Sequence, residues 1–387
     1  MKIFYWSPFI SKVATVSSVI RSAESIIKYC DAKKKINVSI IDAIGEWDNY
    51  RNSISNKINI IKLNDKNYFN FLPRGGFLKS RFSYLFIFFI NFFKLKNVLQ
   101  EKKPDFLIVH LITSLPIFLS LFLKKETKII LRLSGLPKLN TIRYLFWKLF
   151  SKKIHCITCP TIATYNNLIK KNIFDKDKIH VLHDPAILLN DYSNKKFENI
   201  ENQKEKSNKV ILAIGRLTHQ KNFSFLITAF KKINEKYPEY ILQILGDGEQ
   251  KSELVKLINK LNLEGKVTLL GFQKNVYKYL INSDCFVLSS LWEDPGFVLL
   301  EAGLSNTIVI SSNCNNGPEE ILENGKNGFL FQNNDLNDFL SKFDEFKKTD
   351  DKELKIKKKN LKKNIKKFTL LAHFNALNKI IKLENIK

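Results

Sequence analysis

The stretch VILAIGRLTHQKNFSFLITAFKKINEKYPEYILQILGDG, residues 210–248, decides the fold of this chain. Its first segment, VILAIGRL (210–217), is a continuous apolar run interrupted by a glycine, which is typical of a strand buried on both faces. The next segment, 222–237, has apolar residues at helical spacing, and a second apolar run follows that ends in LGDG (245–248). The stretch therefore predicts one strand–helix–strand unit of a parallel sheet.

The same alternation of strands and helices continues on both sides of this stretch. Downstream, the apolar runs predict strands at 266–272, 284–290 and 307–312. Upstream, the candidate strands are KIFYWSP, INVSIIDAI, INIIKL, DFLIVHL, KIILRLSG, HCITCP and IHVLHD. The predicted fold class is α/β, with two Rossmann-like, doubly wound parallel-sheet domains that face a cleft. Ligands are expected at the carboxyl ends of the strands.

The length of 387 residues also indicates two domains, because a single core of this size is uncommon. Residues 194–209, NKKFENIENQKEKSNK, are almost wholly polar and predict the linker. The predicted organisation is an N-terminal acceptor-binding domain (1–193), the linker, a C-terminal nucleotide-sugar-binding domain (210–365) and a C-terminal helix (366–387) that packs back on the N-terminal domain. The roles in these domain names come from the family resemblance given below.

The formal net charge is +26, and most of the excess lies in the first half of the chain. Such a charge attracts anionic partners, namely a membrane surface, nucleic acid or a phosphorylated substrate, whereas a mere compositional bias toward lysine needs no partner. The apolar runs 82–93 and 111–123 are shorter than the ~18–20 residues that cross a bilayer. Together with an N-terminus that does not read as a signal peptide, they predict a cytoplasmic protein that at most rests on a membrane.

The cysteine pattern predicts neither disulfides nor a zinc site. The five cysteines are irregularly spaced, and the single C-x-x-C motif, Cys156 to Cys159, has no second pair at a suitable distance. Buried thiols in a reducing compartment are the expected state.

The segment GRLTHQKN (215–222) predicts an anion site between a strand and a helix. Gly215 allows a tight turn at the strand end, and Arg216 and Lys221 place two cations beside the start of the next helix. This arrangement suits a diphosphate.

The segment SSLWEDPGFVLLEAG (289–303) places two carboxylates, Glu293 and Glu301, around a predicted helix start. Asp294 is the expected N-cap, and Pro295 fits the first turn of the helix. The amides of Gly296, Phe297 and Val298 are then donors at a positive helix end. Carboxylates accept hydrogen bonds from hydroxyls, whereas amides and cations hold phosphate, so the combination suits a polyhydroxylated ligand that carries a diphosphate.

With these motifs the second half of the chain resembles the retaining glycosyltransferases of family 4, which have the GT-B architecture. The resemblance covers about residues 208–332 and is carried by GRLTHQKN, LGDGEQKSEL, LLGF, the pair Glu293 and Glu301, and NCNNGPEEILENGKNGFLF (313–331). It extends more weakly to SPFISKVATV, VHLITSLP and LRLSGLPKLN, which resemble the acceptor-side domain of bacterial surface-polysaccharide transferases. The first loop reads KVAT (12–15) where the family is usually glycine-rich, and Glu293 is followed by Asp-Pro-Gly-Phe rather than Gly-Phe.

The resemblance implies a role for each matched residue. Glu293 and His110 would lie at the reacting sugar, and Glu301 would bind the ribose hydroxyls. Ala14 and Thr15 would belong to the acceptor side. The other donor-binding residues would be Gly215, Arg216, Lys221, Phe272, Gly296, Phe297 and Val298.

The resemblance also implies a metal-independent hexosyltransferase without a cofactor. It would move a sugar from a nucleoside diphosphate, expected to be UDP, to a glycan or polyprenyl- or lipid-linked glycan of lipopolysaccharide, O-antigen or capsule. It would work in the cytoplasm or peripherally on the inner face of the cytoplasmic membrane. No specific nucleic-acid partner is expected.

Two alternatives remain open from the sequence. One is a nucleotide-sugar epimerase of the same fold, and the other is a non-enzymatic basic protein that binds nucleic acid or a membrane. The Phe-rich run 82–93 is also open to two interpretations, since it could form the domain core or face lipid.

Overall fold

A computed structural model describes residues 1–11, 14–30, 35–73, 77–123, 127–135, 140–196, 198 and 208–382. The chain folds into two compact units. The N-terminal unit comprises Met1–Pro185 and Leu370–Lys387, and the C-terminal unit comprises Ala186–Thr369.

The N-terminal unit contains a fully parallel sheet of seven strands, namely β1 Lys2–Trp6, β2 Asn37–Asp42, β3 Ile58–Lys62, β4 Phe106–Val109, β5 Lys128–Arg132, β6 Ile154–Cys159 and β7 Ile179–Val181. Their spatial order is β3-β2-β1-β4-β5-β6-β7. The helices in the crossovers are α1 Ala14–Tyr29, α2 Phe77–Lys102, α3 Ser114–Leu119, α4 Thr141–Phe150 and α5 Ile162–Lys171. The central strands β1 and β4 are almost wholly buried, because helices cover both faces of such a sheet.

The C-terminal unit repeats this plan with six parallel strands, β8 Lys209–Ile214, β9 Tyr240–Leu245, β10 Val267–Gly271, β11 Cys285–Leu288, β12 Ile308–Ser312 and β13 Phe329–Phe331. They are arranged in the order β10-β9-β8-β11-β12-β13. The helices are α6 Leu189–Lys195, α7 Phe223–Lys236, α8 Lys251–Lys260, α9 Tyr277–Ile281, α10 Phe297–Leu304, α11 Pro318–Ile321, α12 Leu336–Lys348 and α13 Asp351–Asn364. The predicted fold class, two Rossmann-like parallel-sheet domains, is confirmed.

The compact units divide before the predicted linker 194–209. The backbone of Ile187 pairs with that of Thr369, and the Ile187 amide donates to the carbonyl oxygen of Phe368 at 3.1 Å. These contacts attach the segment after Pro185 to the C-terminal unit. The amino-acid composition does not change at Pro185, so the sequence did not indicate a boundary there. Residues 197 and 199–207 of the predicted linker region lie outside the described residues.

One further helix follows α13 among the described residues. After α13, a short 3₁₀ turn, Ile365–Phe368, precedes α14, Leu370–Ile381, which packs against α1 in the N-terminal unit. The His373 side chain fixes this packing. Its Nδ1 lies 2.7 Å from the carbonyl oxygen of His183, which can only accept, so Nδ1 carries the proton and Nε2 accepts from the Ser22 hydroxyl at 2.9 Å.

The Phe-rich run 82–93 is the middle of a longer helix. α2 has 26 residues, and its portion Leu78–Lys102 is the one helix among the described residues that is long and apolar enough to cross a membrane, by length and composition alone. The sequence underestimates its length because lysines and polar residues flank the apolar run, although they continue the helix.

Candidate functional site

In the C-terminal unit, the strand order reverses between β8 and β11, which is where parallel sheets of this kind bind ligands. The two predicted motifs directly follow these strands, and side chains and backbone hold them together. The Leu291 amide donates to the Gln220 carbonyl oxygen at 2.8 Å, and Gln220 Nε2 donates to the Trp292 carbonyl oxygen at 2.9 Å. The Ser289 hydroxyl donates to the carbonyl oxygen of Lys221 at 2.8 Å.

Lys221 and Glu293 form an ion pair at this edge of the sheet. The Lys221 Nζ lies 2.5 Å from Glu293 Oε1, and the Ser290 hydroxyl donates to the same oxygen at 2.6 Å. Both charged side chains are largely buried, so each needs the other as a counter-charge. Among the described residues, Glu293 Oε2 has no hydrogen-bond partner and is left as an acceptor. The sequence had assigned the two residues separate contacts and did not predict the pair.

Gly215 and Gly246 let the backbone of this site pack closely. A Cβ at Gly215 would lie 3.0 Å from the aliphatic carbons of Lys221. Gly246, at φ +139°, faces the neighbouring turn so closely that a Cβ would lie 1.8 Å from the carbonyl oxygen of Gly215. Arg216 is exposed next to this turn, and its guanidinium has no ion-pair partner within the described parts of the chain. It is therefore the cation of this motif that an anion could meet first.

The start of α10 differs from the prediction. Gly296, at φ +88°, is the N-cap, and Asp294 is not. The peptide bond between Asp294 and Pro295 is cis, and the Asp294 carboxylate accepts a hydrogen bond from the Asn316 side chain. Gly317 closes over this loop, since a Cβ there would lie 1.9 Å from the carbonyl oxygen of Pro295. The loop is thus held by residues 316 and 317, which the local sequence pattern does not reveal.

Two backbone amides at this helix end form no hydrogen bond within the described residues. The Leu299 amide donates to the Gly296 carbonyl oxygen at 3.0 Å, whereas the amides of Phe297 and Val298 precede the first hydrogen bond of the helix. Glu301 is half-buried one turn further along α10, about 6 Å from the helix start at ~1.5 Å per residue. Phe272 directly follows β10 and is 77% exposed.

The N-terminal unit has a corresponding reversal between β1 and β4, and His110 directly follows β4. Its amide donates to the carbonyl oxygen of Trp6 at 2.9 Å, so the backbone continues the sheet. The imidazole is buried, and neither ring nitrogen has a hydrogen-bond partner among the described residues. Burial, followed by the nearby Arg132 and His373, holds the pKa of His110 well below its usual range. The ring is therefore neutral at physiological pH.

His110 lines a cavity of about 720 Å³ within the N-terminal unit. Its other lining residues include Arg81 and Phe88 from α2 and Arg143 and Trp147 from α4. The cavity thus combines aromatic walls with guanidinium groups.

Arg132 also lines this cavity and was not predicted as a site residue. It ends β5, is 2% exposed and donates from Nη2 to Asp184 Oδ1 at 2.6 Å, while its Nη1 has no hydrogen-bond partner among the described residues. The sequence did contain a signal for these two residues. Arg132 and Asp184 are charged residues at or just beyond the carboxyl ends of apolar strands, where sheets of this kind bind ligands. His373 lies nearby, and burial lowers its pKa to about 4.

The predicted acceptor-side residues are only partly described. Thr15 lies in the first turn of α1, and its hydroxyl is 3.5 Å from that of Ser134, which lines the cavity. Ala14 begins α1, but its side chain and residues 12 and 13 lie outside the described residues. The roles of Ala14 and Thr15 stay predictions.

Within the described residues, no group of three or more His, Cys, Asp or Glu side chains could hold a metal ion. Metal independence stays a prediction, because a nucleotide ligand can itself carry a cation. Cys156 and Cys159 are buried free thiols.

The family model "Glycosyl transferases group 1" matches residues 194–368. The chain is 38% identical over 256 residues to "Uncharacterized glycosyltransferase MJ1059" of Methanocaldococcus jannaschii. The matched region covers 59% of this chain and 61% of that protein. Over 180 residues it is 33% identical to the "UDP-Gal:alpha-D-GlcNAc-diphosphoundecaprenol alpha-1,3-galactosyltransferase" of Escherichia coli, 46% of this chain and 44% of that protein. The chain thus spans less than two thirds of the length of these relatives. The resemblance to glycosyltransferases is confirmed.

Solved structures share the fold over almost the whole chain. A glycosyltransferase from Rickettsia africae superposes with a TM-score of 0.77 at 15% identity, covering 100% of this chain and 99% of that one. Anabaena Alr3699/HepE in complex with UDP superposes with a TM-score of 0.73 at 14% identity, covering 99% and 100%. At these identities the likeness concerns the fold, which is that of GT-B glycosyltransferases.

Proposed function

We propose that this chain, whose residues 194–368 match the group 1 glycosyltransferases, moves a sugar from a nucleoside diphosphate to a glycan or lipid-linked glycan acceptor with retention of configuration. The observation that carries the proposal is the cluster of Lys221, Glu293 and Ser290 at the ends of β8 and β11. This cluster supplies a cation for phosphate and an oriented carboxylate oxygen for a sugar hydroxyl.

The donor would bind to the C-terminal unit. Arg216, Lys221 and the amides of Phe297 and Val298 would hold the diphosphate, because cations and free helix amides stabilise anions. When the glycosidic bond breaks, negative charge grows on the leaving diphosphate, and the same groups would stabilise it. A divalent metal is then not needed for charge stabilisation.

The nucleoside would be held by the remaining predicted donor residues. Glu301 would accept hydrogen bonds from the ribose hydroxyls, and Phe272 would provide an exposed ring beside the base. UDP is the proposed nucleotide, and a relative whose name includes UDP-Gal and a solved structure in complex with UDP support that choice.

Glu293 would bind the donor sugar rather than attack it. A retaining mechanism through a covalent intermediate requires a free carboxylate nucleophile and a separate acid. The Glu293 carboxylate is instead neutralised by Lys221 and hydrogen-bonded by Ser290, which reduces its nucleophilicity. We therefore favour attack from the same face as the leaving diphosphate, with the diphosphate accepting the proton of the acceptor hydroxyl.

The acceptor would bind to the cavity of the N-terminal unit. His110 and Arg132 offer nitrogen atoms without hydrogen-bond partners among the described residues, and the aromatic walls suit a sugar ring or an apolar chain. At physiological pH the neutral His110 ring can either donate a hydrogen bond to a hydroxyl of the acceptor substrate or accept one from it.

We place the reaction in the cytoplasm, in bacterial surface-polysaccharide synthesis. The five free thiols suit a reducing compartment, and the E. coli relative is named for a diphosphoundecaprenol acceptor.

The test is a screen of UDP-sugars with the full chain, first without and then with a lipid-linked glycan. Release of UDP that depends on the acceptor, with the sugar recovered on the acceptor in the same anomeric configuration as in the donor, supports the proposal. Quantitative recovery of a sugar isomer still attached to UDP, in the absence of acceptor, would instead identify an epimerase.

A further inference from the structure

Polar side chains form a row across three neighbouring strands of the N-terminal sheet. Arg132 at the end of β5 is in register with Thr158 of β6. His110 follows Val109, which is in register with Leu131, so His110 lies beside Arg132. Residues in register on neighbouring strands share one face of the sheet. The row therefore lies on a single face, near the carboxyl ends of the strands.

A small void lies between this row and the helices that cover it. His110, Arg132 and Thr158 line the void from the sheet, whereas Ser22 of α1 and His373 of α14 line it from the helices. The volume of the void is about 10 Å³. A polar void of this size holds about one water molecule.

Each residue of the row has a polar atom without a hydrogen-bond partner among the described residues. These atoms are Arg132 Nη1, the Thr158 hydroxyl oxygen and both ring nitrogens of His110. Arg132 is 2%, Thr158 1% and His110 6% exposed, so bulk water does not satisfy them. Because buried polar groups are nearly always hydrogen-bonded, an ordered water molecule in the void is the expected partner.

The two helix residues at the void already have partners. His373 Nδ1 donates to the carbonyl oxygen of His183 at 2.7 Å, and its Nε2 accepts from the Ser22 hydroxyl at 2.9 Å. Arg132 Nη2 donates to Asp184 Oδ1 at 2.6 Å, and Asp184 also lines the void. The guanidinium group is therefore held in place, and its Nη1 still has a hydrogen bond to donate.

The charge of Arg132 decides which nitrogen of His110 carries the proton. The ring is neutral, because burial, followed by Arg132 and His373, holds the pKa of His110 well below its usual range. A neutral imidazole has one N–H donor and one acceptor nitrogen. A nearby cation favours a lone pair over an N–H group on the side that faces it. His110 lines both the void and the 720 Å³ cavity, so its other nitrogen can serve the cavity.

We propose that Arg132 is a positioning residue, which with Thr158 holds one buried water molecule against His110 and fixes the tautomer that directs the N–H into the cavity. The water accepts from Arg132 Nη1 and the Thr158 hydroxyl. It donates one hydrogen to His110 and the other to Asp184. The inference rests on the proposed function and specifies the part of His110 in it. His110 donates a hydrogen bond to a substrate hydroxyl and orients it, while the proton of the attacking hydroxyl goes to the leaving diphosphate.

The water site is tested by a crystal structure of the full chain at a resolution that shows ordered water. We expect one water molecule within about 2.7–3.2 Å of Arg132 Nη1, of the Thr158 hydroxyl oxygen and of one His110 ring nitrogen. A void without this water, or a water that does not contact His110, overturns the bridge.

The tautomer is tested by ¹⁵N NMR of the full chain labelled on histidine. His110→Gln identifies the signals of this ring among the six histidines. We expect one N–H nitrogen and one acceptor nitrogen in the wild type. The double variant Arg132→Gln/Asp184→Asn removes both charges and leaves none uncompensated, and it should populate both tautomers, so that the two nitrogen shifts approach each other. Both tautomers in the wild type, or one unchanged tautomer in this variant, contradicts the proposal.

Turnover shows whether this arrangement matters for the reaction. With the donor and acceptor that the UDP-sugar screen identifies, we expect kcat of Arg132→Gln/Asp184→Asn to fall about tenfold or more. Its affinity for UDP should not change, because the proposed donor site lies in the C-terminal unit. Arg132→Lys keeps the cation and should retain both the single tautomer and more of the turnover than the double variant.

The matched control is Arg51→Gln/Asp48→Asn, which makes the same changes in a partly exposed pair of the N-terminal unit. We expect wild-type turnover and the wild-type His110 tautomer in this control. An equal loss of turnover in both double variants would show a general effect of lost charge and overturn the positioning role.

The NMR and crystallographic measurements need no substrate, so they separate this inference from the proposed function. A chain that releases UDP from no UDP-sugar, but shows the water and the single tautomer, rejects the proposed function and leaves the arrangement around His110 standing. Near-normal turnover of Arg132→Gln/Asp184→Asn rejects the positioning role and leaves the proposed function intact.

Discussion

The two units have the same strand order around their central reversal, yet they build different chemistry there. In the C-terminal unit, close backbone turns at glycines place the exposed Arg216 beside the largely buried ion pair of Lys221 and Glu293. In the N-terminal unit, His110 and Arg132 are buried side chains that line a large cavity. The shared topology therefore fixes where a site lies, and the side chains after each strand decide what it binds.

The buried ion pair of the N-terminal unit should give the largest effect on stability. Asp184→Asn leaves Arg132 charged and without its counter-charge, and we expect a loss of about 3–5 kcal/mol in the free energy of unfolding. Urea unfolding can be followed by tryptophan fluorescence, because Trp6, Trp47 and Trp147 all lie in this unit. The control, Asp175→Asn, removes an exposed carboxylate 3.9 Å from Lys178 and should cost less than about 1 kcal/mol. Similar losses in both variants would contradict the role given to burial.

The ion pair of the C-terminal unit should instead affect turnover. Glu293→Gln keeps the shape but removes the charge that orients Lys221, and we expect the transfer rate to fall about 10²–10³-fold, as for other lost transition-state contacts. The control is Glu235→Gln, which removes the carboxylate of an exposed pair with Lys231 on α7. Near-normal turnover of Glu293→Gln at low donor concentration would remove Glu293 from the site.

Close backbone packing can be separated from backbone strain with two glycines of positive φ. Gly246→Ala places a methyl group against the carbonyl oxygen of Gly215, whereas Gly265→Ala, at φ +75°, has open space around its new Cβ. We expect Gly265→Ala to cost about 1 kcal/mol of unfolding free energy and Gly246→Ala about 3 kcal/mol or more. Thermal or urea unfolding of the two variants measures the difference, and equal costs would show that the turn at Gly215 is not tightly packed.

The N-terminal unit should also lose stability in acid through His373. Its pKa is lowered in the folded protein to about 4, so the unfolded chain takes up the proton first as the pH falls below about 6.5. The stabilisation is complete above that pH and decreases toward pH 4, by about 3 kcal/mol for a shift of this size. His373→Gln can keep the hydrogen bonds to Ser22 and His183, and its unfolding free energy should vary less over this range. An unchanged pH dependence would contradict the assignment.

The sequence predicted the C-terminal unit better than the N-terminal one, for physical reasons. Apolar runs, apolar residues at helical spacing and glycine turns were sufficient to predict the fold of this unit. Arg216, Lys221 and Glu293 lie in short sequence motifs, so they could be predicted as site residues. The pairing of Lys221 with Glu293 across 72 residues could not be predicted, because it depends on tertiary contacts between two segments. The Gly296 cap was missed because Asp294 is the better N-cap by propensity, yet its carboxylate is held by Asn316.

In the N-terminal unit only His110 was singled out as a residue at the reacting sugar. Arg132, Asp184 and His373 come from three distant segments and meet only in the folded unit. The sequence also left the exposure of α2 undecided, because a run of phenylalanines does not indicate whether its side chains are buried in a core or exposed. The structure shows both, with Ile87 and Leu95 inside and Phe82, Phe89 and Phe93 outside.

The central claim is that Arg216 and Lys221 hold the diphosphate of the donor. Calorimetric titration of UDP into the full chain tests it most directly, comparing the wild type with Arg216→Gln, Lys221→Met and the surface control Lys231→Met. We predict at least about tenfold weaker binding for the first two variants, from the loss of a charge-assisted contact, and wild-type affinity for the control. Unchanged UDP affinity in both Arg216→Gln and Lys221→Met would contradict the account.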